Sequence, residues 1–193
     1  MPKKVDHLER RTLIADALMR VAADQGLEAV SLRHVAAEAG VSSGMVQHYF
    51  RTKDEMMTFA LSVVRERNQV RVTEAVARLG ERPSPRALLR TIVAALLPLD
   101  EHTRDDGRVA LAFLAYTAVR PAAATGLRED TGQMVGFLAS ILPGPEAGDA
   151  AAGLLALMEG LGVYLLGGQY TAEQALSVLD AHLDMIFDPA RSP

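Results

Sequence analysis

Helical periodicity runs along almost the whole chain of 193 residues, and residues that begin or end helices interrupt it at short intervals. Apolar residues recur three or four positions apart, and no stretch shows sustained alternation with β-branched enrichment. Ser and Thr stand before several segments as N-caps, and Gly or Pro follows most of them. The pattern predicts an all-α fold of about nine helices. They are expected to begin near His7, Ser31, Ser42, Thr52, Ser84, Asp100, Leu127, Ala147 and Thr171.

The sequence predicts two capping boxes and the buried face of the first helix. Thr52 and Thr171 are each followed three residues later by Glu or Gln, which is the pattern of a capping box. Five apolar residues of the first segment recur at helical spacing, so we expect them to share one buried face. They are Leu8, Ile14, Leu18, Val21 and Ala22.

Composition limits the compartment and the chemistry. The chain has no Cys, which excludes disulfides, thiolate metal sites and a cysteine nucleophile. The first residues lack the apolar core of a signal peptide. The longest apolar stretch, residues 153–168, contains Glu159 and is shorter than the roughly 20 residues that span a bilayer. These features predict a cytoplasmic protein without a membrane partner.

The stretch from Ser31 to Phe50 predicts a helix, a tight turn at Gly40 and a second helix of only two turns. In a helix-turn-helix the second helix enters the major groove of DNA. Gln can form paired hydrogen bonds with adenine, and Ser can bond to donor or acceptor edges of bases. The outward residues of the second helix are expected to be Ser43, Gly44, Gln47 and His48, which predicts binding to double-stranded DNA.

The run from Gly40 to Glu55, GVSSGMVQHYFRTKDE, resembles the DNA-binding signature of the TetR family. Six upstream residues fit the rest of that framework, and the resemblance covers roughly residues 8–57. Gln47 departs from the pattern, because the family most often has tyrosine there. A non-aromatic residue followed by His-Tyr-Phe-Arg is similar to the choline/betaine-responsive repressor branch. The upstream residues are Ile14, Ala17, Gly26, Ser31, Val35 and Ala36.

The resemblance implies a helix-turn-helix DNA-binding domain at residues 1–52 and a helical ligand-binding and dimerisation domain at 53–193. It implies phosphate contacts for His48, Tyr49 and Lys53, while Phe50 is expected to be a packed aromatic. Four basic residues could add a flexible arm: Lys3, Lys4, Arg10 and Arg11. The complete set of expected DNA-binding residues is Ser31, Arg33, Ser42, Ser43, Gly44, Met45, Gln47, His48, Tyr49 and Lys53.

The formal net charge of −4 argues against nucleic acid only until it is divided along the chain. Residues 1–72 hold 11 Lys or Arg against 9 Asp or Glu, a net charge of +2. Residues 73–193 hold 9 against 15, a net charge of −6. A small local excess of cations is sufficient, because affinity for DNA follows local phosphate neutralisation and counterion release.

The last two predicted helices are candidates for a homodimer interface, since operators read by helix-turn-helix proteins usually consist of two half-sites. Gly160 and Gly162 would let two backbones approach closely. Packing within a single chain is the alternative. The expected interface residues are Leu154, Leu157, Leu161, Leu165, Leu176, Leu179 and Leu183.

An unknown small-molecule effector is expected to bind between helices of the second domain. Glu159 needs a partner in so apolar a segment, and that partner is either a cationic ligand or an Arg or backbone group across a dimer. Tyr116 and Tyr164 could offer faces for a cation. The expected ligand-binding residues are Ile92, Phe113, Tyr116, Met134, Phe137, Met158 and Glu159.

An enzyme is the least favoured class, because the five His residues are scattered and no spacing marks a metal, nucleotide or acid–base site. We therefore expect no cofactor and no metal. The leading hypothesis is a homodimeric, ligand-responsive transcriptional repressor. The alternatives are a small-molecule-binding protein of the same fold that lacks operator recognition, and a transcriptional activator.

Overall fold

The computed structural model describes residues 2–26, 29–119 and 125–188. Within these ranges the chain forms nine α-helices and no strands, which confirms the prediction of an all-α fold. The helices are α1 (Pro2–Gln25), α2 (Leu32–Glu38), α3 (Ser43–Tyr49), α4 (Lys53–Ala77), α5 (Pro85–Leu96), α6 (Glu101–Ala118), α7 (Thr125–Ala139), α8 (Ala147–Leu166) and α9 (Ala172–Phe187).

Side-chain caps fix where several of these helices begin. The hydroxyls of Ser31, Ser42 and Ser84 accept hydrogen bonds from backbone amides in the first turns of α2, α3 and α5. At α9 the Thr171 hydroxyl accepts from the Gln174 amide, and the Gln174 side chain accepts from the Thr171 amide. These bonds satisfy amides that have no partner within the helix, so the capping residues define the boundaries.

Three predictions for the first third of the chain were partly wrong. At α4 the Glu55 carboxylate accepts from the amide of Arg51 rather than from that of Thr52, while the Thr52 hydroxyl accepts from the Glu55 amide as expected. Helix α1 begins at Pro2 rather than near His7, so the backbone of the basic N-terminal residues is helical, whereas a flexible arm was expected. Leu8 is 58% exposed and lies outside the predicted buried face.

The backbone divides into two compact units, which are described separately. The first unit comprises Met1–Arg67 and Asp105–Ala123, and the second comprises Asn68–Arg104 and Ala124–Pro193. Helices α4 and α6 each contribute residues to both units. The two units are defined by how the backbone packs and not by function. The predicted functional boundary at residue 52 therefore stays a prediction.

The first unit places α1 against α2, and α2 against α3. Its buried apolar side chains include Ile14 and Leu18 of α1, Val35 of α2 and Val46 of α3. An ion-pair cluster joins three helices: Arg67 of α4 donates to Asp16 of α1 at 2.7 Å and to Asp106 of α6 at 3.2 Å.

In the second unit α8 packs against α7 and α9, and α9 also packs against α5. Arg90 of α5 binds both carboxylate oxygens of Asp180 in α9, with Nε to Oδ1 at 2.7 Å and Nη2 to Oδ2 at 3.0 Å. Arg86 donates to Asp184 one turn further along α9 at 2.7 Å. The core includes Leu89, Val93, Leu97, Leu138, Leu154, Leu161, Leu165, Leu179 and Leu183.

This core contradicts most of the dimer-interface prediction. Five of the seven leucines, those at positions 154, 161, 165, 179 and 183, are at most 3% exposed within a single chain. They cannot form a dimer contact, because they have almost no surface left to bury. Leu157 and Leu176 are half-buried against the same core. Helical periodicity identified the apolar stripe of each helix but could not indicate which partner covers it.

Helix α8 has 20 residues and a mean hydropathy of 1.5, so by length and composition alone it could cross a membrane. The apolar stretch of about 16 residues is part of this longer helix, whose beginning at Ala147 was predicted. A single helix of this kind is weak evidence for a membrane span. Leu154, Leu161 and Leu165 of α8 pack in the core of the second unit.

Candidate nucleic-acid interface

The turn between α2 and α3 is built around Gly40, which has a φ of 66°. The Val41 amide donates to the Ala36 carbonyl at 3.0 Å, and the Gly40 amide donates to the Ala37 carbonyl at 3.2 Å. Together these bonds form a Schellman motif, which requires a left-handed residue that glycine adopts at little cost. Ser42 then caps α3 through the Met45 amide at 3.1 Å. The turn and the cap thus fix the direction in which α3 leaves α2.

Helix α3 has one buried face and one exposed face. Val46 has no exposed surface, and Phe50, the residue that follows the helix, is also fully buried. Ser43, Gln47 and His48 are exposed. Among the described residues none forms a hydrogen bond with the side-chain amide of Gln47. The N–H donors and the carbonyl acceptor of this side chain therefore remain available for a base edge.

The other expected DNA-binding residues lie on or beside the same two helices. Ser31 and Ser42 use their hydroxyl oxygens as cap acceptors, which leaves their hydroxyl hydrogens available to donate. Arg33 is exposed and has no ion-pair partner in the described ranges. Gly44 and Met45 are exposed, and Lys53 is half-buried as the first residue of α4. The contacts of these residues with DNA stay a prediction.

Tyr49 ends α3 and is half-buried between two histidine rings. The ring centroid of His7 in α1 lies 4.8 Å from that of Tyr49 at an interplanar angle of 63°. The His48 ring lies 5.2 Å from it at 81°. No described residue forms a hydrogen bond with the Tyr49 hydroxyl. The ring therefore has T-shaped contacts with two histidine rings, while its hydroxyl remains available to donate.

The structure adds two contacts from α1 that the sequence did not indicate. Besides His7 against Tyr49, the Arg11 guanidinium lies over the ring of Phe50 at 4.8 Å and over that of Phe59 at 4.3 Å. Arg11 was expected in a flexible arm and instead stacks on these aromatic rings. The spacing of four residues between His7 and Arg11 would have placed them on one helix face, but nothing in the sequence indicated what they face.

The expected ligand-binding residues are distributed over both units. Phe113 and Tyr116 belong to the first, where the Tyr116 hydroxyl donates to the Asp54 carboxylate. In the second, Ile92 is buried and Phe137 is 49% exposed. Met134 and Met158 are half-buried against the core. Their participation in a pocket stays a prediction.

Glu159 lies on the exposed side of α8, and no described residue pairs with its carboxylate. Desolvation by nearby apolar atoms nevertheless raises the pKa of Glu159 above its ordinary value. Ala152, Ala156 and Val163 are exposed at helical spacing on the same side. Glu159 is thus a single acid within an exposed apolar stripe.

An open depression of about 410 Å³ lies along the first turns of α9 in the second unit. None of the residues lining it was predicted to bind a ligand. The capping box at Thr171 predicted the beginning of α9 but not which of its residues face solvent. The lining residues are Tyr170, Glu173, Gln174, Ser177 and Val178.

Two family models match the chain. Residues 14–58 match the model described as bacterial regulatory proteins, tetR family. Residues 85–188 match the model described as BetI-type transcriptional repressor, C-terminal. The first match contains α2, α3 and their connecting turn, and the second contains α5–α9 in full. The second match supports the resemblance to the choline/betaine-responsive branch.

Relatives and solved structures agree with these matches. The BetI regulator of Burkholderia thailandensis is 30% identical over 98% of this chain and 99% of its own length. The PksA regulator of Bacillus subtilis is 38% identical over 60% of this chain and 55% of its own length. A transcriptional regulator from Rhodococcus sp. RHA1 has a TM-score of 0.83 at 37% identity and covers 93% of this chain and 96% of its own.

A regulator from Saccharomonospora viridis, crystallised in complex with choline, has a TM-score of 0.76 at 21% identity. It covers 93% of this chain and 97% of its own, and at this identity it supports the fold. The relatives found are transcriptional regulators, which confirms the expectation that the chain is not an enzyme. The chain belongs to the TetR family of bacterial regulatory proteins and is a DNA-binding transcriptional regulator with a C-terminal region of the BetI type.

Proposed function

We propose that the chain is a homodimeric repressor that binds a double-stranded DNA operator in the cytoplasm and is released by a small-molecule effector. Each protomer places α3 in one of two major grooves, roughly 34–36 Å apart along the duplex. Activation is the alternative, since the sign of regulation follows from the position of the operator. A transcription reporter with the operator before or after the promoter distinguishes the two.

The observation that carries the proposal is the division of α3 into a buried and an exposed face. Val46 and Phe50 anchor the helix in the first unit, whereas Gln47 and His48 face solvent. A two-turn helix that is capped and anchored in this way presents its polar groups in a fixed orientation. Fixed orientation is what base-edge recognition requires, because each paired contact discriminates by about 1–3 kcal/mol only in good geometry.

The test uses labelled DNA from the region upstream of the gene and unrelated DNA of equal length. Wild-type protein should retain the upstream fragment preferentially, and affinity should fall as salt rises. Gln47→Ala should change base preference, whereas Lys53→Ala should weaken all sequences alike and lower the salt slope by about 0.9. Unchanged retention after His48 and Tyr49 are both replaced by Ala would favour a small-molecule-binding protein without operator recognition.

The proposed dimer contact lies on exposed residues of the last two helices rather than on their core leucines. Val163 and Tyr164 of α8, with Val178 and Met185 of α9, are large apolar side chains exposed in a single chain. Ala152 and Ala156 extend the α8 stripe with small side chains. A second copy that covers this surface removes it from water, which stabilises association in proportion to the apolar area buried.

Sedimentation tests this contact directly. Val163→Glu places a charge in the stripe and should shift the protein from dimer to monomer. Val70→Glu is the matched control, because Val70 of α4 is also exposed and lies outside the stripe. Equal dimerisation of the two variants would reject the α8–α9 contact.

The proposed effector is a small organic cation. Supporting observations are the BetI-type match and the unpaired Glu159 carboxylate. Thermal-shift measurements with choline, fatty acids and aromatic compounds separate the ligand classes, and only choline-like cations should raise Tm and release DNA. If Glu159 binds the cation, Glu159→Gln abolishes the choline shift. If Glu159 lies in the dimer contact, the variant keeps that shift and dimerises more tightly.

A further inference from the structure

The N-terminal helix contacts the end of α3 through two residues that share one face. His7 and Arg11 are four positions apart in α1, so they project on the same side of the helix. His7 lies edge-on to Tyr49, and Arg11 lies over Phe50. Two consecutive residues at the end of α3 are therefore each held by α1.

The two contacts differ in what they leave accessible. Phe50 has no exposed surface, and its ring also lies 5.5 Å from that of Phe59, so Arg11 and Phe59 both contact a core residue. Tyr49 is only half-buried, and its hydroxyl forms no hydrogen bond with a described residue. The contact of His7 thus constrains the ring of a residue whose polar atom remains available to a ligand.

Ring orientation decides where a tyrosine hydroxyl points, because the hydroxyl lies on the axis of the ring. His7 and His48 both meet the Tyr49 ring edge-to-face, the arrangement that the aromatic quadrupole favours. His48 is the neighbour of Tyr49 in sequence and moves with α3. His7 belongs to another helix, and it therefore fixes the ring relative to the rest of the first unit.

We propose that His7 is a positioning residue for DNA binding, whose ring holds the Tyr49 hydroxyl in the orientation that donates to a DNA phosphate. This role rests on the proposed DNA-binding function of α3. It assigns no direct DNA contact to His7. Loss of the ring should free Tyr49 to rotate, and the phosphate contact then forms at an entropic cost.

Affinities for the upstream fragment and for unrelated DNA test the role by fluorescence anisotropy. His7→Ala should weaken both by about 2- to 10-fold, the range that one edge-to-face aromatic pair supports. The salt slope should not change, because no phosphate charge contact is lost. His7→Phe should restore affinity, since it keeps an aromatic edge. Leu8→Ala is the matched control, as Leu8 is the exposed neighbour in the same turn.

The Tyr49→Phe background distinguishes positioning from direct contact. This variant keeps the ring and lacks the hydroxyl, so His7→Ala should have no further effect in it. A His7→Ala effect that persists there, or that lowers the salt slope by about 0.9, would mean that His7 binds a phosphate itself and would overturn the proposal. Failure of His7→Phe to restore binding would overturn it as well.

A measurement without DNA separates this inference from the function on which it rests. The chain has four tyrosines, so ring-labelled tyrosine gives few NMR signals, and Tyr49→Phe assigns the one of interest. His7→Ala should move the Tyr49 ring signals and leave the other three unchanged. Unmoved Tyr49 signals in a protein that binds DNA overturn this inference alone. Wild-type protein that binds no DNA overturns the proposed function.

Discussion

Replacing Asp180 by Asn removes one of the two acidic charges through which α9 binds the arginines of α5. Arg90 binds both Asp180 oxygens, at 2.7 and 3.0 Å, and Arg86 lies 3.5 Å from Oδ1. The bidentate bond to Arg90 and the charges of both arginines lower the pKa of Asp180 below its ordinary value. The folded state therefore favours the ionised carboxylate.

The expected loss of stability lies between two limits. An exposed ion pair contributes about 0.2–1 kcal/mol, whereas a hydrogen bond to a charged group contributes about 1.5–3 kcal/mol. The side chains of Arg90 and Asp180 are 39% and 32% exposed, so the pair is neither fully solvated nor buried. Asp180→Asn keeps the shape and one acceptor oxygen. We expect a loss of about 1–2 kcal/mol, or about 2–8 °C in Tm for a chain of this size.

Urea unfolding at pH 7 and a fixed protomer concentration measures this loss, since dimerisation makes stability concentration-dependent. Glu129→Gln is the matched control: it also removes one carboxylate, from the exposed face of α7, and Glu129 has no ion-pair partner in the described ranges. Equal urea midpoints for the two variants would refute the reasoning, because the effect would then come from net charge.

The pH dependence gives an independent check with a defined sign. Since the folded-state pKa of Asp180 is lowered, its stabilisation is present above the ordinary value of about 3.9 and is lost as pH falls through the folded-state pKa. The difference in free energy of unfolding between wild type and Asp180→Asn should be constant from about pH 6 to 8 and should become smaller in acid. A difference that grows in acid would contradict this assignment.

Three further changes test packing, capping and the α8 stripe. Leu179→Ala should lower the free energy of unfolding by about 2–5 kcal/mol, because Leu179 is fully buried. The control Leu8→Ala, at an exposed site, should lower it by under about 0.5 kcal/mol, and equal Tm values for the two variants would contradict the described core. Thr171→Ala removes one half of the α9 capping box and should cost about 1 kcal/mol in urea unfolding, an expectation that an unchanged midpoint would reject. Folding raises the pKa of Glu159, so the free energy of unfolding should fall as pH rises through the folded-state pKa. Glu159→Gln should flatten this part of the curve of stability against pH. A curve identical to that of wild type would exclude the effect.

Local sequence rules predicted the beginnings of helices well. Ser31, Ser42, Ser84 and Thr171 are the caps that the pattern indicated. The Gly40 turn also follows from a few adjacent residues. These features depend on interactions within about five positions of the chain, so neighbouring residues are sufficient to predict them.

Errors occurred where one helix face needed a partner from far along the chain. Leu154 and Leu183 were expected at a dimer contact and instead fill the core, whereas the less conspicuous Ala156 and Val163 are exposed. Periodicity identifies an apolar face, but a core and an interface have similar composition. Arg11 was expected to be a mobile cation and lies over two aromatic rings.

The sequence by itself determined the helical class and the capped helix-turn-helix, because hydrogen bonds between near neighbours fix both of these. Only the tertiary structure decided that His7 meets Tyr49 and that Arg90 binds Asp180 across 90 residues. It also decided which stripe of α8 remains open to a partner. Such contacts depend on how helices pack, and packing is set by all elements of a unit together.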